Sequence, residues 1–169
     1  MNSTPLSGQV ALVTGAGRNI GRAIALALAD AGAKVAVNVR SSRDEGQAVV
    51  DEIKVRGGEA LLLLADVTQR LAVDDMLASL TRHFGRLDLL VNNAAVRREA
   101  AFADMSFTEW RDAQAVCVDG AFHCTQASLP LLRKRGAACV INIGGMTAQT
   151  GASRRAHVVT AKAALGGLT

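Results

Sequence analysis

No tyrosine occurs among the 169 residues, and one tryptophan with four phenylalanines completes the aromatic inventory. A phenolic hydroxyl is therefore unavailable as a proton donor anywhere in the chain. The same scarcity removes the platforms on which nucleic-acid binders stack bases. Net charge is +4, but the nineteen basic residues are scattered among fifteen acidic ones, so nucleic acid is not an expected partner. Cysteine is equally sparse. Cys117, Cys124 and Cys139 are odd in number and lack CxxC spacing, which argues against a disulfide framework or a structural zinc site. They read as small core hydrophobes in a reducing compartment. Apolar runs are interrupted by Asp30, Lys34, Asp66 and Asp88 well short of a membrane span. The opening MNSTPLSGQ has no basic stretch followed by an apolar one, the pattern of a leader. A soluble cytoplasmic protein, with no metal and no membrane partner, is the expectation.

Half of the residues are hydrophobic, enough for one domain with a substantial core over residues 1–169. Short β-branched runs alternate with longer segments of helical period, the pattern of a parallel sheet with helices on both faces. Strands are predicted at Val10 to Thr14, Lys34 to Val39, Ala60 to Ala65, Leu87 to Val91 and Cys139 to Ile143. Their nearly continuous apolar character fits strands covered on both sides. Helices are predicted at Ile20 to Asp30, Arg43 to Arg56, Leu71 to Phe84 and Thr108 to Lys134, with a last one from near Ala156 to Thr169. Gly32, Gly57-Gly58, Gly85 and Gly136 follow helices where a left-handed residue ends them. The apolar finish Leu165-Gly166-Gly167-Leu168 lacks the polar cap of an ordinary terminus. The expectation is a doubly wound α/β fold whose last strands are missing.

Thr14-Gly15-Ala16-Gly17-Arg18-Asn19-Ile20-Gly21 lies where the first strand turns into the first helix. A pyrophosphate bound there needs a tight turn, a close backbone and a helix N-terminus aimed at its charge, and Gly15, Gly17 and Gly21 answer those needs. At the end of the second strand an acid would hold a ribose 2′-hydroxyl, whereas a basic residue tolerates a 2′-phosphate. The segment Val37-Asn38-Val39-Arg40-Ser41-Ser42-Arg43 has no acid. Arg40, with Arg18, Ser41 and Ser42, suits a phosphate through charge-assisted bonds, which favours NADP(H) over NAD(H). The alternative is that Arg40 and Arg43 merely solvate the start of the second helix.

The turn TGAGRNIG, Asp66-Val67 after the third strand, Asn92-Asn93-Ala94-Ala95 after the fourth and Lys162 in the last helix occur in this order over nearly the whole chain. Together they resemble the short-chain dehydrogenase/reductase family. The resemblance implies a Rossmann-type fold and hydride transfer between a nicotinamide and a small-molecule carbonyl or alcohol. It also implies a homodimer or homotetramer associating through the fourth and last long helices. One glycine of the family turn is Asn19 here, a mild departure because asparagine tolerates left-handed backbone. By the same resemblance Gly15 to Gly21, including Ile20, hold the pyrophosphate, Asp66 and Val67 hold the adenine, Asn93, Ala94 and Ala95 line the cofactor's middle, and Lys162 binds the nicotinamide ribose. Read without it, Asp66 caps a helix and Lys162 is a solvated lysine.

The family's Asn, Ser, Tyr and Lys set survives here only at Lys162. Val158 stands four residues earlier, where the tyrosine belongs; Gly145 takes the serine's place and Cys117 the asparagine's. Losing a general acid typically removes ~10²–10⁴-fold in rate. His157 adjoins the vacant tyrosine position and is the candidate substitute proton donor, with Thr147 and Ser153 as nearby hydroxyls. Successive helix positions diverge by about 100°, so His157 would need a shifted helix start to face the reaction. As a non-catalytic alternative, the chain binds NADP(H) as a sensor or partner subunit.

Overall fold

β-Branched runs become strands because every second side chain finds a helix-covered face. The computed structural model describes residues 4–134 and 136–169. Residues 1–3, which belong to the opening stretch considered above, lie outside them. Strands β1 (Val10–Val13), β2 (Lys34–Val39), β3 (Ala60–Leu64), β4 (Leu89–Asn92) and β5 (Cys139–Asn142) form one parallel sheet in the order β3-β2-β1-β4-β5. Helices α1 (Asn19–Asp30) and α2 (Arg43–Val55) cover one face; α3 (Arg70–Phe84) and α5 (Gly120–Leu132) cover the other. Alternation along β1 divides the core: Leu12 joins Leu80, Leu90 and Cys124, while Val13 joins Ala25, Val37 and Ile53. Fully burying one such aliphatic side chain is worth about 1.5–3 kcal/mol.

A buried carboxylate supports the β1–β4 pairing. Asp88 accepts from Val10 N at 2.9 Å and from the Arg86 guanidinium at 2.8 and 2.6 Å. Gly32, Gly57 and Gly85 take φ of 96°, 85° and 71°, the left-handed helix ends that the sequence predicts. The same expectation at Gly136 depends on Arg135, outside the described residues.

Two expectations are corrected, and one short element is added. The helix predicted over Thr108 to Lys134 is broken into α4 (Phe107–Gln114), a π segment (Ala115–Asp119) and α5. Gly120 resumes the regular helix. A Cβ there would lie 2.7 Å from Val67 Cγ2, so only glycine permits this approach. Cys139 is exposed, unlike the buried Cys117 and Cys124, because β5 is an edge strand among the described residues and its burial alternates between exposed and half-buried. A one-turn helix, α6 (Thr147–Thr150), precedes the last helix, α7 (Ala156–Leu168), and no periodicity announces so short an element. No helix among the described residues is long and apolar enough to cross a membrane.

Candidate functional site

The sheet order reverses between β1 and β4, and open α/β sheets bind ligands outside the carboxyl ends of strands at such a point. Thr14 joins the two strand ends. Its N–H and hydroxyl donate to Val91 O at 3.0 and 3.3 Å, and its Oγ1 accepts from Asn93 N and Ala94 N at 3.0 and 3.1 Å. Asn93 Nδ2 returns the tie, donating to Thr14 O and Gly15 O at 2.8 and 3.0 Å. From β2, Asn38 O accepts from Ala16 N at 2.8 Å, while its Nδ2 reaches Leu63 O and Ala65 O at 3.3 and 3.1 Å. Asn38 has no part in the sequence-based site, although the sequence marks it as an uncharged amide among the apolar residues of VAVNV.

The glycine turn is as tight as its sequence demands. A Cβ on Gly21 would sit 2.3 Å from Gly15 O and 2.5 Å from Asn93 Nδ2; one on Gly17 would sit 2.9 Å from Val39 Cγ1. Gly15 has φ 62° and Asn19 φ 49°, so asparagine does occupy the left-handed position expected of it. The start of α1 carries no side-chain cap and no acid in its first turn, leaving helix N–H groups directed at the crevice. Ile20 is exposed on this first turn.

The flanking residues divide. Arg40 and Ser41 are exposed at the end of β2, with no carboxylate at that strand end. Arg18, expected beside them, instead stands 3.6 Å from Glu45, since the turn points it at the first turn of α2. Such an exposed pair is worth only about 0–1 kcal/mol and leaves Arg18 able to turn away. Asp66 closes its own turn, Oδ1 accepting from Thr68 N and Oγ1 at 2.9 and 2.8 Å. Val67 packs its side chain inward against Gly120, and its carbonyl lies 3.1 Å from His123 Nδ1. Ala95, by contrast, is exposed.

Lys162 projects from α7 toward the end of β5, donating to Ile143 O. Burial lowers its ammonium below the ordinary lysine range, and the nearby Cys117 thiol, when charged, opposes that shift. The π segment thus brings Cys117 within electrostatic reach of Lys162. A cavity of about 310 Å³ beside Lys162 is lined by Gly144, Gly145, Gln149, Leu165 and Thr169 among others. Burial pushes the Cys124 thiol up to about 12, which suits packing and not nucleophilic chemistry. Among the described residues no cluster of His, Cys, Asp and Glu is arranged to hold a metal.

His157 is not part of the Lys162 cavity lining. It is 1% exposed, in the first turn of α7, the helix that packs on α4 and the π segment, and Gln114 Nε2 donates to its carbonyl at 3.3 Å. Among the described residues, neither ring nitrogen has a hydrogen-bond partner. The ring faces the interior, which argues against the proton-donor role considered above. An unpaired buried polar group costs about 1–3 kcal/mol, so His157→Leu is expected to melt at or above the wild-type temperature. A clear fall would show that the ring makes a contact the fold needs.

These features are matched by comparison with known proteins. Residues 9–169 match the family described as short chain dehydrogenase. The chain belongs to that family. It is 38% identical over 159 residues to the 3-oxoacyl-acyl-carrier-protein reductase FabG of Staphylococcus aureus (strain Mu50), covering 94% of this chain and 65% of that protein. It is 40% identical over 166 residues to the 3-oxoacyl-acyl-carrier-protein reductase of Synechocystis sp., covering 98% of this chain and 67% of that protein. A short chain dehydrogenase from Burkholderia cenocepacia, solved in complex with NADP, superposes with a TM-score of 0.92 at 33% identity, covering 98% of this chain and 67% of that one. The chain thus spans about two thirds of the length of these relatives. Gly145 packs beside Lys162, and Val158 stands four residues before it in α7.

Proposed function

We propose that this chain is an NADP(H)-dependent oxidoreductase domain of the short-chain dehydrogenase type, moving hydride between a nicotinamide and a carbonyl or alcohol. The observation that carries the reading is the glycine turn. It is wedged against Asn93 and Ala94 so closely that Gly21 excludes any Cβ, with the uncapped start of α1 beyond it. Bound there, the dinucleotide supplies or accepts the hydride. The chain's own residues do the rest: helix N–H groups face the pyrophosphate, Arg40 and Ser41 meet a 2′-phosphate, and Asn93 to Ala95 line the middle of the cleft. Lys162 presents its ammonium to the nicotinamide ribose, while Asp66 and Val67 border the adenine. The relative solved with NADP supports the choice of cofactor. Self-association as a dimer or tetramer through α4, α5 and α7 belongs to the same reading, as does a cytoplasmic location; Phe107 and Phe122 are exposed on these helices.

A second reading has a specific observation behind it. The positions around Lys162 that would supply hydroxyl and amide groups hold Val158, Gly145 and Cys117, which favours a non-catalytic NADP(H) binder serving as a sensor or partner subunit. Oxidation of NADPH against a panel of ketones, aldehydes and quinones between pH 5 and 9, with binding measured in parallel, separates the two. Saturable binding with hydride transfer supports the enzyme, and binding without transfer supports the sensor. In the same assays Arg40→Ala is expected to weaken NADPH about tenfold or more while leaving NADH unchanged, from loss of a charge-assisted bond. An unchanged NADPH affinity would remove Arg40 from the site.

A further inference from the structure

The chain has four lysines, and their surroundings differ. Lys34 is paired with Glu59 at 2.6 Å, while Lys54 and Lys134 stand exposed. Lys162 is half-buried, lines the cavity of about 310 Å³ and, among the described residues, has no carboxylate partner. Its one hydrogen bond there is to Ile143 O, a neutral backbone acceptor. No aspartate, glutamate, arginine or histidine lines the cavity, so Lys162 is its one charged group among the described residues.

A lysine amine attacks a carbonyl only in its neutral form, and removing it from water favours that form. Burial lowers the Lys162 ammonium below the ordinary lysine range, opposed only by the nearby Cys117 thiol when that is charged. Ala148, Ala163 and Leu165 supply apolar wall beside the amine, and the exposed Gln149 amide makes no other side-chain hydrogen bond among the described residues. The volume stands at the small end of ligand cavities. It suits a compact, uncharged molecule with an apolar body.

We propose that Lys162 forms a Schiff base with a small apolar aldehyde or ketone held in this cavity. The nitrogen lone pair bonds to the carbonyl carbon while the carbonyl π electrons move to oxygen. Of the three ammonium hydrogens, two leave with that oxygen as water and one stays on nitrogen, so an ammonium and a carbonyl become an iminium and water. Nothing is oxidised or reduced, and no dinucleotide takes part; the proposal therefore stands apart from the oxidoreductase reading.

The test uses the full chain with butanal at pH 7, sodium cyanoborohydride trapping the iminium by delivering hydride to its carbon. Mass spectrometry of peptides then measures the butyl group at each lysine. Labelling of Lys162 is expected to saturate with butanal and, at low concentration, to exceed that of Lys54 and Lys134 about tenfold or more, as holding the carbonyl beside the amine requires. Gly145→Leu should abolish the saturation and leave Lys54 unchanged, because a Cβ at 145 already meets Lys162 Cβ and Cγ at 3.6 Å and a longer side chain fills the space beside them. Lys162→Arg keeps the charge and removes the amine, and should show no saturable labelling. Labelling of Lys162 no greater than that of Lys54 and Lys134, labelling linear in butanal, or saturation that survives Gly145→Leu would each overturn the proposal. Titration of untreated protein with NADPH decides the dinucleotide reading separately, since the adduct needs no cofactor.

Discussion

Val158→Tyr combined with Gly145→Ser is expected to raise NADPH-dependent carbonyl reduction by about 10²–10⁴-fold over the wild type, the contribution of a positioned general acid. A side chain at position 145 fits the space available. A Cβ on Gly145 meets Lys162 Cβ and Cγ at 3.6 Å and Thr147 Oγ1 at 4.0 Å, ordinary contact distances. Val158 is half-buried and precedes Lys162 by four residues in α7, so both lie on one helix face. The Lys162 ammonium beside a new phenol would favour its ionised form and lower its pKa. A hydroxyl at Gly145 would approach the substrate oxygen separately. Steady-state NADPH oxidation with the panel above measures the gain. Wild-type turnover equal to that of the double variant would show that a proton source other than a residue at 158 already operates.

Gly21→Ala should cost about 1–3 kcal/mol of stability, the usual penalty for forcing a methyl group into a filled space. In a chain of this size that lowers Tm by several degrees. The added Cβ would lie 2.3 Å from Gly15 O, a backbone atom with no freedom to step aside while Asn93 Nδ2 holds it at 3.0 Å. Relief requires the turn to open. NADPH affinity should fall with it, because the same backbone has to approach the pyrophosphate. Thermal melting and a binding titration of the variant check the two effects. A variant that melts and binds like wild type would mean that the glycine turn is looser than its contacts imply.

Much of this was legible in the sequence because it depends on local chemistry. The KVAVNV run gave β2 its bounds of Lys34–Val39, since a β-branched series flanked by Gly32 and the polar Arg40-Ser41-Ser42 stretch admits little else. The glycine turn and the left-handed Asn19 follow from steric rules that need no partner. What stayed hidden depends on tertiary contact. The π segment at Ala115–Asp119 disturbs helical period too little to be seen in one sequence, and the Val67 contact that only Gly120 allows is with a residue more than fifty positions away. Cys139 reads as a core residue in an apolar strand, and only the sheet order reveals that β5 is an edge. His157 stands five residues before Lys162, a spacing that says nothing of its burial, and the orientation of α7 turns it inward. The Arg154–Ala100 bond joins two loops whose individual sequences say nothing of each other.

The most direct measurement is calorimetric titration of the wild-type protein with NADPH and, separately, with NADH. Saturable binding of NADPH at one site per chain and markedly weaker binding of NADH are predicted, because Arg40 and Ser41 would meet a 2′-phosphate at a strand end that carries no acid to hold a free hydroxyl. Absence of binding, or equal affinity for the two dinucleotides, would contradict that prediction.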